Sequence, residues 1–304
     1  IVLRHTGRLK FRINVPFVIV IIKKGLPYAL LVLLMSFYNR LEPVLIERLL
    51  PDDIAATQTG IYARAWRLFD AGNNISYLFS VILLPLFASI IKEGQDLQSL
   101  VKQSFSIMLS MTGIIAILCI FYSRNFMEIM YPQQPGEPLS SFIYSLDNSS
   151  TILKILMGSF VSISITYIFG TLLTANGNLK QLNIVAAVGV VINIALNFIF
   201  IPRLLAIGAA FTSLCVQFVT CAIQFFIAKK TFKLTLGIKF WCKIMVFLGL
   251  TCITTYLSTK LPINWMVSFG IAFISSIILT FLTKMLSFNE LKELFQSSLH
   301  NIKK

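Results

Sequence analysis

The chain has 304 residues, of which 57% are hydrophobic and only 12% are charged. A soluble domain carries about 25% charged residues, so this composition excludes an ordinary soluble globular protein and indicates a polytopic membrane protein. The net charge is +14. In a membrane protein this excess reflects loop topology and contact with anionic lipid, and no motif supports nucleic-acid binding.

Eight apolar segments are long enough to cross a bilayer, which takes about 20 helical residues. They lie at residues 25–46, 62–91, 104–122, 152–173, 182–201, 206–228, 240–257 and 265–285. Residues 11–24 are too short to span comfortably and indicate either an interfacial amphipathic piece or the tail of a preceding segment. The sequence therefore predicts a cytoplasmic basic segment with an interfacial helix over 1–24, an eight-helix transmembrane bundle over 25–285, and a cytoplasmic amphipathic tail over 286–304.

The charges between these segments predict their orientation. With the N-terminal end inside, most lysines and arginines fall in segments on the cytoplasmic side, as the positive-inside rule requires. We therefore expect both ends of the chain to be cytoplasmic. The longest outer segment, 124–150, contains PQQPGEP and is predicted to be a solvated loop. Because the chain begins with Ile1 and not Met, we also expect a further part of the protein to precede it.

Ionisable side chains interrupt the first two predicted spans. Arg64, Arg67 and Asp70 are three residues apart, which puts them on one face of a helix. Arg40 and Glu42 lie inside the first span. Charged groups within a spanning helix are energetically costly and usually face an inner cavity or a partner. The sequence therefore predicts a cationic, hydrated feature in the outer half of the bundle.

Two interpretations of this feature remain open. In the first, Arg40 pairs with Glu42 or Asp70, and Arg64 pairs with Asp70, as structural ion pairs, or arginines near a helix end extend to lipid headgroups. In the second, Arg40, Arg64 and Arg67 line a water-filled vestibule and hold phosphate, which suits the fork of a guanidinium group. Three arginines against two acids leave a surplus positive charge, which favours the second interpretation.

Other polar residues complete the predicted site. Asn39 joins the three arginines as a candidate substrate-binding residue. Glu42 and Asp70 are candidates for binding a coupling cation or for tuning the arginines. Asn193 and Asn197 are four residues apart and share a helix face, so we expect them to form hydrogen bonds between helices. No metal site is predicted, because the five cysteines form no CxxC pair, and no cofactor is expected apart from Na⁺ or H⁺ as a candidate coupling ion.

Three stretches occur in a characteristic order and spacing. They are LPYALLVLLMSFYNRLEPVLIERLL, GIYARAWRLFDAGNNISYLFSVILLPLFASI, and LLTANGNLKQLNIVAAVGVVINIALNFIFIPRLLAIGAAFTSL, with its NGN turn and its VINIALNFIFIP run. With them the chain resembles the C-terminal part of polysaccharide flippases, members of the multidrug/oligosaccharidyl-lipid/polysaccharide exporter superfamily. The resemblance covers nearly the whole chain.

The resemblance implies an all-α integral membrane protein of fourteen helices in two lobes, of which this chain would form roughly helices seven to fourteen. Such flippases lie in the bacterial cytoplasmic (inner) membrane. They move undecaprenyl-pyrophosphate-linked oligosaccharides outward for cell-surface polysaccharides such as the O-antigen of lipopolysaccharide, by alternating access. The implied partners are this lipid-linked substrate, membrane lipids and the N-terminal lobe of the same protein, and Arg40, Arg64 and Arg67 would line a shared cationic cavity.

Two alternative functions remain. A cation-coupled multidrug exporter of the same superfamily should present net acidic groups to its substrate, whereas arginine outnumbers acid in these spans. A membrane glycosyl- or acyltransferase usually needs acidic or histidine clusters for metal or base chemistry. The only adjacent acidic pair, Asp52 and Asp53, suits a solvated outer turn better, so we expect a transporter and not an enzyme.

Overall fold

The computed structural model describes residues 14–286, which are helical apart from short turns. The predicted basic segment before residue 14 and the amphipathic tail after residue 286 lie outside the described residues. Within them the helices are α1 (Val15–Arg40), α2 (Glu42–Leu49), α3 (Asp52–Glu93), α4 (Leu97–Phe121), α5 (Ser123–Met130), α6 (Leu139–Ala175), α7 (Leu179–Phe232), α8 (Ile238–Ser258) and α9 (Trp265–Leu282).

Seven of the helices in this range are long and apolar enough to cross a membrane, which confirms the predicted all-helical membrane fold. The sequence predicted eight spans, and α7 accounts for the difference. It has 54 residues, or about 80 Å at 1.5 Å per residue, which is far more than one crossing needs. Leu205 breaks it near its middle with φ 56° and ψ −140°, so the predicted spans 182–201 and 206–228 are its two arms.

Two contacts define the break in α7, one from another helix and one between its own two arms. The Gln58 side-chain oxygen accepts a hydrogen bond from the backbone N–H of Ala206 at 3.3 Å, which satisfies a donor that the broken helix leaves free. A Cβ added at Gly208 would lie 2.3 Å from the backbone oxygen of Phe200. Only glycine therefore fits where the two arms approach each other.

The predicted boundary at residue 24 is not a boundary in the structure, because residues 15–24 are the first turns of α1. Asn14 caps this helix by accepting a hydrogen bond from the Phe17 N–H at 3.4 Å. The apolar run then continues past two lysines without a helix-breaking signal, so one helix covers both segments. It ends at Arg40, shortly before Pro43, whose ring nitrogen cannot donate the next helical hydrogen bond.

The predicted connection between the first two spans is also helical. After Pro51, α3 begins with Asp52 and Asp53 in its first turn, where acids interact favourably with the helix dipole. It has 42 residues, or about 63 Å, and so extends well beyond a 30 Å hydrocarbon layer. Arg64 and Arg67 therefore lie several turns inside this helix and not in its first two turns.

The prediction of an outer loop over residues 124–150 is wrong for most of that range. The short helix α5 and the first turns of α6 occupy both ends of this segment and leave only residues 131–138 as a turn. An ion pair of 3.1 Å between Arg124 and Asp147 joins the two helical parts. Met127 and Leu146 of these parts are buried and anchor them to the bundle.

The centre of the bundle is α6, which packs against α3, α4, α5 and α7. The hydroxyl groups of Ser76 and Ser164 lie 2.8 Å apart and join α3 to α6, a common device where helices pack in a membrane. Helices α8 and α9 pack on each other and reach the rest through α4. There the Tyr122 and Ser258 hydroxyls lie 2.8 Å apart.

Candidate functional site

The predicted face of Arg64, Arg67 and Asp70 is present on α3. The three residues lie on one continuous helix, with Arg67 exposed and the other two half-buried. Asn74, one turn further along, donates to the Asp70 carbonyl at 2.9 Å and reaches its carboxylate at 3.5 Å. The face is therefore polar and accessible from outside the helix bundle.

One tyrosine contacts both arginines of this face. The guanidinium of Arg64 lies over the Tyr131 ring, with its carbon 5.3 Å from the ring centroid. Arg67 donates from Nη1 to the Tyr131 hydroxyl at 3.3 Å. Tyr131 directly follows α5, so the contact ties α3 to the turn before α6. The ring quadrupole attracts the cation without removing its charge.

Arg40 approaches the same helix from the end of α1. Its guanidinium lies over the Trp66 ring, 5.7 Å from the centroid, and its side chain is exposed. Arg40 also closes a groove of about 730 Å³ on the surface of α1, whose other lining residues are mainly apolar: Tyr28, Ala29, Val32, Leu33, Ser36, Phe37 and Leu41. The arrangement joins an apolar groove to a cationic end.

The structure contains none of the ion pairs of the first interpretation. Within residues 14–286, the one ion pair between side chains closer than 4 Å is that of Arg124 and Asp147. Arg40 and Arg64 lie over aromatic rings, Arg67 donates to a tyrosine hydroxyl, and none of the three pairs with a carboxylate. Their charges are therefore available to an anion, as the second interpretation expects.

Asn39 lies apart from this arginine face. Its side-chain oxygen accepts a hydrogen bond from Gln217 Nε2 at 2.6 Å, which ties α1 to the second arm of α7. The Gln217 side-chain oxygen is buried and has no hydrogen-bond partner. The amide of Asn39 is thus engaged between helices and does not accompany Arg40 on the surface.

Glu42 is buried, with only 1% of its surface exposed. Its Oε1 accepts a hydrogen bond from Asn193 Nδ2 at 3.0 Å, and the same nitrogen lies 3.2 Å from the backbone oxygen of Tyr38. Asn197 donates to Asn193 Oδ1 at 3.0 Å. Asn193 therefore joins α7 to α1 and α2, which confirms the predicted hydrogen bonding between helices for this residue, whereas the bond of Asn197 lies within α7.

Two oxygens of this cluster remain without a hydrogen-bond partner: Glu42 Oε2 and Asn197 Oδ1 are both buried. An unsatisfied buried carboxylate oxygen is costly, and hard cations prefer oxygen ligands. The residues fit a monovalent cation better than a transition metal. In the described part of the chain, no group of three His, Cys, Asp or Glu side chains could hold a metal ion.

Sequence reasoning identified the arginines but missed their aromatic partners. Trp66 lies between Arg64 and Arg67 in the sequence and carries no charge that would mark it. Tyr131 is 64 residues from Arg67, so no helical spacing connects them. The one available signal was the position of Tyr131 next to Pro132, at the start of the only Pro-rich segment.

Comparison with known proteins gives matches of two kinds. A family model described as "Lipid II flippase MurJ" matches residues 3–280. A solved structure titled "Lipid II flippase MurJ, inward closed conformation" superposes with a TM-score of 0.68 at 16% sequence identity. It covers 95% of this chain, whereas the chain spans 59% of that protein's length. No match was found among the curated proteins.

These matches refine the expectations from sequence. At 16% identity the solved structure shows the fold, and the family model shows the family because it covers most of the chain. The matched family consists of flippases, which are transporters and not enzymes, as expected. Its description specifies lipid II, so the expected link to O-antigen and other surface polysaccharides finds no support. This chain, a multi-pass membrane protein, belongs to the MurJ lipid II flippase family.

Proposed function

We propose that this chain binds the pyrophosphate of a polyprenyl-linked saccharide through Arg40, Arg64 and Arg67, as part of a flippase that works by alternating access. The observation that carries the proposal is that two of the guanidinium groups stack on aromatic rings, the third donates to a tyrosine hydroxyl, and none pairs with a carboxylate. Stacking leaves the N–H donors at the edges of the Arg40 and Arg64 guanidinium groups free, and Arg67 keeps the donors that it does not give to Tyr131. Those donors match the oxygens of a pyrophosphate.

The groove on α1 supports a lipid-linked ligand over a soluble anion. It has a volume of about 730 Å³ and ends at Arg40. An amphiphile with an apolar tail and an anionic head could lie along such a groove, with the tail against Val32 and Phe37 and the head at Arg40. Burial of the tail would add affinity that a free phosphate lacks.

The substrate that we propose is a lipid II-type peptidoglycan precursor on an undecaprenyl carrier. The description of the matched family supports this choice over a precursor of surface polysaccharide. The arginines recognise the pyrophosphate, which both kinds of precursor share, so they do not choose between saccharides. We also propose the bacterial inner membrane as the location, cytoplasmic ends for this chain, and a further lobe of the same protein that completes the cavity.

Glu42 supports a role for a coupling cation. Its free carboxylate oxygen and the free Asn197 oxygen are both buried and belong to one hydrogen-bonded cluster. We propose that Na⁺ binds there, at the junction of α1, α2 and α7. Asp70 lies half-buried on the arginine face and accepts a hydrogen bond from Asn74, so we assign it to tuning the arginines and not to binding the cation.

A flipping assay tests the proposal. Proteoliposomes that contain the full-length protein and a fluorescent undecaprenyl-pyrophosphate-linked saccharide report the outward movement of the label. Arg40→Ala, Arg64→Ala and Arg67→Ala should each slow flipping about tenfold, since each removes a charge-assisted contact.

Lys260 provides the matched control. It stacks over Tyr256 at 5.4 Å, in the turn between α8 and α9 and away from the arginine face. Lys260→Ala removes a cation stacked on an aromatic ring without touching the proposed site, and flipping should be unchanged. Unchanged flipping in all three arginine variants would refute the proposed site.

A further inference from the structure

We propose that Tyr131 is a positioning residue that orders Arg64 and Arg67 together for one anion. The inference rests on the proposed function, because it assumes that these arginines bind substrate. One aromatic side chain makes two different contacts: its ring face lies under Arg64 and its hydroxyl accepts a hydrogen bond from Arg67. The two guanidinium groups are therefore held on the same side of α3.

Arginines need such support because their side chains are long. A free arginine loses much rotamer freedom when it binds a ligand, and that loss weakens affinity. Tyr131 removes part of this freedom before the ligand arrives. Arg64 and Arg67 are one helical turn apart, so a shared partner brings two forks within reach of one pyrophosphate.

Tyr131 is itself held in place by its neighbours. Its backbone N–H donates to the Met127 oxygen at 2.9 Å and ends α5, while the following Pro132 disfavours helical angles for Tyr131, whose backbone has φ −136° and ψ 71°. Met127 is completely buried and anchors this end of the helix. A rigid support of this kind is what a precise binding site requires.

The turn after Tyr131 is also ordered by hydrogen bonds. Gln133 donates from Nε2 to the Glu137 backbone oxygen at 2.9 Å, and the Gln134 N–H donates to the Glu137 carboxylate at 3.2 Å. The Glu137 N–H returns a bond to the Gln134 oxygen at 3.0 Å. The turn 131–138 thus links the two arginines to the junction of α5 and α6. A movement of that junction would shift Arg64 and Arg67 together, through Tyr131.

Binding measurements on the purified full chain test the proposal. The probe is farnesyl pyrophosphate, a short prenyl pyrophosphate, measured by calorimetry in detergent. Tyr131→Phe keeps the ring and removes the hydroxyl, so binding should weaken about threefold to fivefold. Tyr131→Leu removes both contacts, so binding should weaken about tenfold. Tyr144→Phe is the control, because its hydroxyl accepts from Gln58 at 3.0 Å and binding should not change.

Double variants separate positioning from a general structural effect. If Tyr131 acts through Arg67, then Tyr131→Phe has no further effect in the Arg67→Ala background and keeps its full effect in the Arg64→Ala background. An equal effect in both backgrounds overturns the proposal. So does unchanged binding in both Tyr131 variants while Arg64→Ala and Arg67→Ala still weaken it, and that outcome leaves the proposed function intact. A wild-type chain that does not bind the probe refutes both.

Discussion

At the scale of single residues, the choice of partner for each arginine decides what the site can do. A carboxylate beside Arg40, Arg64 or Arg67 would cancel the charge on which anion binding depends. An aromatic ring instead stabilises the guanidinium while its donors stay free. Trp66 and Tyr131 fill this role, so the surplus positive charge of the sequence is kept at the surface of α3.

Glu42 gives a test of the proposed cation site. Raising Na⁺ at constant ionic strength, with choline as the replacement ion, should raise the melting temperature of the wild-type chain by several degrees. Glu42→Gln should abolish this shift, because the amide carries no charge to balance the cation. Glu47→Gln is the control: it makes the same change on α2, at an exposed carboxylate bonded to Thr59. A sodium-dependent shift of wild-type size in Glu42→Gln would contradict the site.

Asn193 should matter more for stability than for recognition. Asn193→Leu leaves the buried Glu42 carboxylate without its donor and the Asn197 amide without its acceptor, so we expect a loss of about 3 kcal/mol in unfolding free energy. Asn183→Leu removes a single bond to the Pro27 oxygen and should lose about 1 kcal/mol. Denaturant unfolding in micelles measures both, and equal losses would argue against the cluster as a special junction.

The residue scale also separates what sequence can predict from what it cannot. Spacing along one helix placed Arg64, Arg67 and Asp70 on a shared face, and the same rule paired Asn193 with Asn197. Contacts between segments far apart in the chain could not be predicted, because spacing relates only residues of one helix. The contacts of Tyr131 with the arginines and the hydrogen bond between Asn39 and Gln217 are of this kind. Surplus charge argued against ion pairs for the three arginines, and among the described residues none of the three pairs with a carboxylate.

At the scale of helices, the break in α7 is the most sharply defined feature. Gly208→Ala would place a Cβ 2.3 Å from the Phe200 oxygen, where no carbon fits, so we expect a loss of about 3 kcal/mol or more in stability. Gly249→Ala on α8 meets no atom within 4 Å and should cause no loss. Thermal unfolding compares the two variants, and similar melting temperatures would show that the two arms of α7 can shift apart.

The helices themselves were easier to predict than their ends. Long apolar runs identified every spanning segment, because a bilayer accepts little else. Hydropathy does not predict the ends of these helices, because a helix continues beyond the membrane wherever no residue stops it. For this reason α1 begins about ten residues earlier than predicted, and α3 includes the segment that was expected to be a connection.

At the scale of the whole molecule, α1 is the most exposed of the candidate spans, with only 6% of its apolar window buried. Its surface carries the groove and, at its end, Arg40. A helix that is apolar and uncovered in water must contact lipid or another part of the protein. The chain spans 59% of the matched structure's length, so we propose that the exposed faces of α1 and α3 look toward a second lobe.

The predicted orientation can be checked on the same whole-molecule scale. Epitope tags at the two ends of the chain should be accessible only from the cytoplasmic side, because most lysines and arginines fall in the segments on that side. A tag inserted in the turn 131–138 should be accessible only from outside. Antibody labelling of intact and permeabilised cells distinguishes the two sides. A terminus that is labelled on intact cells would contradict the proposed orientation of the chain in the membrane.

The central claim is that three unpaired arginines bind the anionic head of a lipid-linked substrate. The most direct measurement compares the affinity of the purified chain for undecaprenyl pyrophosphate and for uncharged undecaprenol, in the wild type and in the combined Arg40→Ala, Arg64→Ala, Arg67→Ala variant. We predict that the wild type prefers the pyrophosphate by about a hundredfold or more and that the variant loses this preference while still binding the alcohol. Equal affinity of the wild type for both lipids, or a preference that survives in the variant, would contradict the account.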